Sequence, residues 1–215
     1  MNVLASLDET RAANNILEHP FYQRWSAGEL TPEELRCYAG QYRRAVLALA
    51  EASERAAADA PAAHAPALRA HAAEEASHVA LWEEFARATG AREATGAPAL
   101  VETEACARAW TQGEDLLERL AVLYAIEASQ PEVAKTKLEG LTAHYGFADE
   151  GPAVEYFATH QLRDVEHARE AGELIAELIA EVPDPDAKER AMVRLAERAL
   201  EANWRLLDGV QAHAG

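Results

Sequence analysis

Cysteine is nearly absent: Cys37 and Cys106 are the only two in 215 residues, and they form no CxxC pair. That excludes a disulfide scaffold. Basic residues are scarce as well, 20 Lys and Arg against 37 Asp and Glu, for a formal net charge of −17. Such a surface repels nucleic-acid phosphates and anionic headgroups, so neither nucleic acid nor membrane is an expected partner. No basic reading helix of a DNA-binding regulator is present. No apolar run approaches the length of a membrane span. The first residues, Met1 to Glu9, lack the basic start and apolar stretch of a signal peptide. The reducing cytoplasm is the expected compartment.

Alanine dominates the apolar residues, and with Glu, Leu and Arg it favours helix. A chain of this length makes one domain with a single large core. The pattern predicts helices over about Val3–Glu18, Phe21–Ser26, Thr31–Ala58, Leu68–Thr89 and Leu100–Thr111. Thr31-Pro32-Glu33-Glu34 is a strong start, with a capping threonine, a proline in the first turn and a glutamate able to reach back to the cap amide. Residues Pro61–Pro66 and Gly90–Pro98 read as loops. A long apolar pattern from Leu116 is expected to break at Gln130-Pro131 and to resume as far as Tyr145. Two more helices are expected, from Pro152 to about Glu181 and from the Pro183–Asp186 turn to about Asp208. With no strand pattern, the expected class is all-α, a bundle of about seven helices.

Against this background His160-x3-Asp164-x2-His167 stands out. Positions i, i+4 and i+7 share one helix face, so two imidazoles and a carboxylate form a wall of N and O donors. Tyr156 and Phe157 on the same face point it inward. A buried Asp flanked by two His needs a neutralising partner, and iron, manganese or zinc suits these donors. The plainer alternative is an exposed polar stripe on an acidic helix. Glu75-x2-His78 is weaker, because one such pair is expected by chance in so acidic a chain. It sits beside a core-like stripe, Leu81, Trp82 and Phe85, and Glu75 is preferred over Glu74 by spacing alone. Glu127 ends an apolar run, Leu120 to Ile126, and is either buried with a partner or at the helix edge. Together these are three carboxylates and three imidazoles from three helices. A ferritin-type site needs two matched Glu-x-x-His motifs, and Glu75-x2-His78 has no such partner.

These stretches, with His19–Trp25, Leu35–Tyr42 and Tyr124–Gly146, resemble the haem-oxygenase-like diiron oxidases and oxygenases. These are relatives of the TenA and pyrroloquinoline-quinone synthesis protein C group. The resemblance runs from about Ile16 to Leu178. It implies a haem-oxygenase-like fold over residues 1–215, with Glu75, His78, Glu127, His160, Asp164 and His167 as ligands of two iron ions. It also implies O2 as co-substrate, an external electron donor and a homodimer. The thiaminase-like relatives carry a cysteine on the helix of Glu127, where this chain has Glu127, Ala128 and Ser129. A haem oxygenase needs a proximal histidine near the N-terminus. His19 is a candidate, but the six-residue set would then go unexplained.

The expected activity is O2-dependent oxygenation of a small nitrogenous metabolite, such as N-oxygenation of an amine or amino-acid derivative. Tyr38, Tyr42, Trp82, Phe85 and Tyr156 are expected to line the substrate pocket, with Arg43, Arg163 or Lys137 as a cation for a substrate carboxylate. A second reading comes from the para-aminobenzoate synthase branch, in which a tyrosine of the protein is excised and a lysine supplies nitrogen. Tyr22 and Lys137 look like the matching positions, along with Tyr38 and Tyr156. On helix pattern alone, Lys137 lies beside Lys135 and Glu139, where lysines are usually solvated. A third reading is a non-catalytic helical binding or metal-storage protein.

Overall fold

Each chain segment makes its own helix start or stop, and the helices then pack apolar face to apolar face. A computed structural model describes residues 2–91 and 98–214; most of the expected Gly90–Pro98 linker lies outside the described residues. The helices are α1 (Val3–Ala13), α2 (Pro20–Ala27), α3 (Pro32–Ala58), α4 (Ala65–Ala88), α5 (Val101–Trp110), α6 (Leu116–Glu127), α7 (Gln130–His144), α8 (Glu155–Ile179) and α9 (Pro185–Ala214). Among the described residues there is no strand, and none of the helices is long and apolar enough to cross a membrane.

The capping box at α3 forms as the sequence predicts. The Glu34 amide donates to Thr31 Oγ1 at 3.2 Å and the Thr31 amide to Glu34 Oε2 at 2.8 Å. Arg24 adds a bidentate clamp on Glu34 and ties α2 to α3.

Other boundaries differ, and each difference has a local cause. The first helix stops at Ala13 rather than Glu18. Asn14 Nδ2 turns back to the Thr10 carbonyl, and Asn15 Oδ1 accepts from the Leu17 amide to start a 3-10 turn, Ile16–Glu18. His19 then caps α2: its Nδ1 accepts from the Phe21 amide at 3.0 Å, leaving Nε2–H to donate to Asp208 at 3.2 Å. His19 is thus occupied in structure and is no axial haem ligand. The long apolar pattern breaks at Ala128-Ser129, two residues before the expected point. Pro131 falls in the first turn of α7, where its missing N–H is harmless. A turn through Gly151–Val154 delays α8 to Glu155, and α9 continues to Ala214. The all-α, haem-oxygenase-like bundle expected from the sequence is the fold observed, with each expected helical stretch present among the described residues.

Helix α8 packs against α4, α6 and α7, so the faces of α4, α6 and α8 meet in the interior. Helix α2 lies on α7 at close range. Trp25 Nε1 donates to the Lys137 carbonyl at 3.1 Å, and a Cβ on Gly140 would collide with the Trp25 ring. Gly140→Ala is therefore expected to push α2 off α7 and to destabilise the fold by about 1–3 kcal/mol, measured by urea unfolding. An unchanged midpoint would mean the Trp25 ring has room to yield.

Candidate metal centre

Helix α4 presents His71, Glu75 and His78, α6 ends on Glu127, and α8 presents His160, Asp164 and His167. All six residues read from the sequence come together and are buried. A seventh, His71, joins them. Its spacing, His71-x3-Glu75-x2-His78, repeats that of His160-x3-Asp164-x2-His167, so the signal was in the sequence as a second i, i+4, i+7 triad.

The donor atoms fall into two overlapping groups. His71, Glu75, Glu127 and His167 offer atoms within 4.8 Å of one another, and so do Glu75, His78 and His160. Glu75 belongs to both. Asp164 lies alongside, its Oδ1 3.4 Å from His167 Nδ1. His71 Nε2 is 2.9 Å from Glu127 Oε1, and His78 Nδ1 is 3.2 Å from Glu75 Oε1. These are ion-pair distances without hydrogen-bond alignment. His71 Nε2, Glu75 Oε1, His78 Nδ1, His160 Nε2, His167 Nδ1 and both oxygens of Glu127 and of Asp164 are buried with no hydrogen-bond partner. Buried polar atoms normally pair, and so many unpaired donor atoms converging on one region suit a metal cation.

The electrostatics agree. Burial raises the Glu127 and Asp164 carboxyls above their ordinary values, opposed by neighbouring histidines. Burial lowers His71, but the Glu127, Glu75 and Asp164 carboxylates outweigh it and raise the imidazole to about 9. Three carboxylates at one buried place call for positive charge, and Glu75 differs from the other two: against its burial, His160 and His78 hold its carboxyl well below the ordinary value.

The histidines are also oriented from outside. His160 Nδ1–H donates to the Tyr156 carbonyl at 2.7 Å, which leaves the Nε2 lone pair facing Glu75. His167 Nε2 lies 3.4 Å from Glu74 Oε2, and Arg163 grips Glu74 at 2.6 and 2.8 Å. That pairing holds the Glu74 carboxyl down at about 2. The choice between neighbours is thereby decided: Glu75 faces the cluster, and Glu74 braces His167. Arg163 is committed to Glu74, and Arg43 Nε to Glu83 at 3.0 Å, so neither is a free cation for substrate.

The aromatic residues expected to line a pocket pack on one another. Trp82 meets Tyr38, Tyr42, Phe85 and Tyr156 at ring-centroid distances of 4.9–5.8 Å. Tyr156 stacks on His160 at 4.0 Å, joining the rings to the ligand cluster. A cavity of about 280 Å³ opens onto His71 and His167 instead, between Leu68, Leu120, Leu123 and Leu174.

Lys137 overturns its sequence reading. It is 1% exposed, while Lys135 and Glu139 on the same helix are indeed solvated. Its Nζ lies 5.4, 5.5 and 4.8 Å from the ring centroids of Tyr22, Tyr38 and Tyr42. The Tyr22 and Tyr38 hydroxyls are 3.1 Å apart. Burial lowers the Lys137 amine to about 7.

Residues 68–204 match the model of a family described as iron-containing redox enzyme. The chain is 35% identical to a 4-aminobenzoate synthase of Nitrosomonas europaea over 95% of this chain and 89% of that protein. It is 33% identical to one of Chlamydia trachomatis, over 86% and 84% respectively. The fold superposes on a TenA homologue of Pseudomonas syringae with a TM-score of 0.83 at 16% identity, over 98% of this chain and 91% of the other. It also superposes on a haem-oxygenase-like domain of Shewanella denitrificans with a TM-score of 0.77 at 20% identity, over 97% and 92%. With a buried His/Glu cluster that can hold metal and an all-helical fold of this shape, the chain belongs to the haem-oxygenase-like family of iron-containing redox enzymes.

Proposed function

We propose that this chain is a 4-aminobenzoate synthase that consumes one of its own tyrosines, using iron and O2, with Lys137 as nitrogen donor. The observation that carries the reading is the Lys137 amine, buried among Tyr22, Tyr38 and Tyr42 and brought to about 7 by that burial. A lysine so placed is partly unprotonated near neutral pH and can act as a nucleophile. The relatives named 4-aminobenzoate synthase favour this reading over N-oxygenation of an external amine.

Glu75, His78, Glu127, His160, Asp164 and His167 would hold two iron ions. Bound iron supplies the oxidising power of O2. The rest falls to the chain. Tyr22 contributes the aromatic ring and its benzylic carbon, which leaves as the carboxyl carbon when the Cα–Cβ bond breaks. The nitrogen of Lys137 replaces the phenolic oxygen, which leaves as water; the Lys137 Cε–Nζ bond breaks and Cε is left as an aldehyde, the electrons passing to O2. Tyr38 holds the Tyr22 hydroxyl by its hydrogen bond. Burial keeps both phenols protonated and the reacting groups away from water.

The test loads apoprotein anaerobically with Fe(II), adds O2 and a chemical reductant, and measures 4-aminobenzoate and peptide masses. At most one product per chain is expected, with mass lost from the Tyr22 peptide. Tyr22→Phe should yield no product while its circular dichroism stays helical. Product in excess of the protein, or formed with Tyr22 intact, would sink the self-consuming reading. Acceleration of O2 uptake by an added amine would restore the external-substrate one.

A further inference from the structure

We propose that His71 is a direct metal ligand of this chain, completing a four-residue site with Glu75, Glu127 and His167, and that the cavity beside it is the ion's route in. The inference rests on the metal reading above and extends it to a residue outside the six that carry the resemblance.

Three observations support it. First, His71 Nε2 sits with the donor atoms of the other three residues inside 4.8 Å. Second, that nitrogen is buried without a hydrogen bond although Glu127 Oε1 is only 2.9 Å away. A histidine that merely paired with Glu127 would aim its N–H along that line; here the two atoms are close without hydrogen-bond alignment. The His71 ring also lies against His167, centroids 4.2 Å apart, an unfavourable contact for two imidazolium ions and a natural one for two ligands of one cation. Third, His71 is the cluster's outermost imidazole. Its side chain is 12% exposed, against 3% for His167 and 1% for His160. The cavity of about 280 Å³ ends on it, with apolar walls from Leu68, Leu120 and Leu123. The His64–Glu177 ion pair, 3.1 Å long, stands at the rim.

The arrangement makes the two sites unequal. The one holding His71 has four protein groups and faces the cavity. The other has Glu75, His78 and His160. Removing His71 should affect only the first.

The test titrates anaerobic apoprotein with Co(II), followed by calorimetry and by the visible absorption that reports cobalt coordination. The wild type should bind two ions. His71→Gly should weaken one binding event by at least about 100-fold, because loss of even an outer-shell partner costs about 10–100-fold in affinity. The other event should stay unchanged. The cavity has room for imidazole, so millimolar imidazole should restore the lost event and its spectrum. His78→Ala should instead weaken the other event, without imidazole rescue of the first kind. Circular dichroism verifies that each variant is folded. Two unaltered binding events in His71→Gly, or a loss that imidazole does not repair, would overturn the role of His71 while leaving the metal centre standing. Failure of the wild type to bind Co(II) would overturn the metal reading itself, and this inference with it.

Discussion

Lys137→Met is expected to abolish 4-aminobenzoate formation and, at the same time, to make the protein more stable. The two effects share one cause. The amine is buried with no carboxylate beside it among the described residues, so its charged form is disfavoured and its pKa falls from 10.5 to about 7. In the unfolded chain it titrates normally. Between pH 7 and 10.5 the unfolded state therefore binds the extra proton, and wild-type stability rises with pH across that window. Below pH 7 the penalty is constant. A shift of this size corresponds to about 5 kcal/mol, and the attraction of the Tyr22, Tyr38 and Tyr42 ring faces for an ammonium offsets part of it. Methionine has nearly the same shape and no charge, so at pH 7 the variant should gain about 2–4 kcal/mol in urea unfolding. The gain should vanish near pH 10.5. Product formation in the wild type should rise with pH through about 7 and then level off, as the amine loses its proton. Methionine removes both the penalty and the nitrogen. A variant that still makes product would show that the nitrogen comes from elsewhere. One that gains no stability at pH 7 would show that water or an ion reaches the amine.

Lys137 also marks where sequence reasoning reached its limit. Its neighbours Lys135 and Glu139 are solvated, as the local pattern implies, and nothing in the spacing of α7 singles out position 137. What buries it is the meeting of α2, α3 and α8 around α7, which brings Tyr22, Tyr38, Tyr42 and Phe157 about the amine, long-range contacts with no local signature. The ligand helices are the opposite case. Periodicity alone put His160, Asp164 and His167 on one face, and that face is the buried one. The same periodicity was available for His71, Glu75 and His78, but a search for Glu-x-x-His pairs sees only the second half of that triad. Arg43 and Arg163 looked free because their partners, Glu83 and Glu74, lie on another helix. Helix ends were legible where a side chain caps its own turn, as at Thr31. They were displaced where asparagines compete with the backbone, as at Asn14 and Asn15, or where Pro131 fits inside a first turn.

Glu127→Gln is expected to abolish the stabilisation that metal gives while leaving the metal-free fold at least as stable as wild type. Glu127 ends α6 fully buried, both oxygens without hydrogen bonds, and burial raises its pKa above the ordinary carboxylate value. In the metal-free protein burial, with repulsion from Glu75 and Asp164, outweighs the attraction of His71, so the charged carboxylate is a net cost. Glutamine keeps the shape and drops the charge, so the apoprotein loses little and its melting temperature should stay level or rise by a few degrees. With metal the order reverses. An ion present at 1,000 times its dissociation constant adds about 4 kcal/mol to the folded state, roughly 10 °C for a chain of this length. The wild type should show that rise on anaerobic addition of Fe(II) and lose it to a chelator. Glu127→Gln should show little of it, since a neutral amide is a poor replacement for an anionic ligand. His160→Ala and Asp164→Ala should likewise lose metal binding and O2 consumption and keep their helical spectrum. Equal metal-induced shifts in the wild type and Glu127→Gln would place the ion away from α6, and the orphaned carboxylate would need another partner. A wild type that melts at the same temperature with and without metal would mean that protons alone satisfy the cluster.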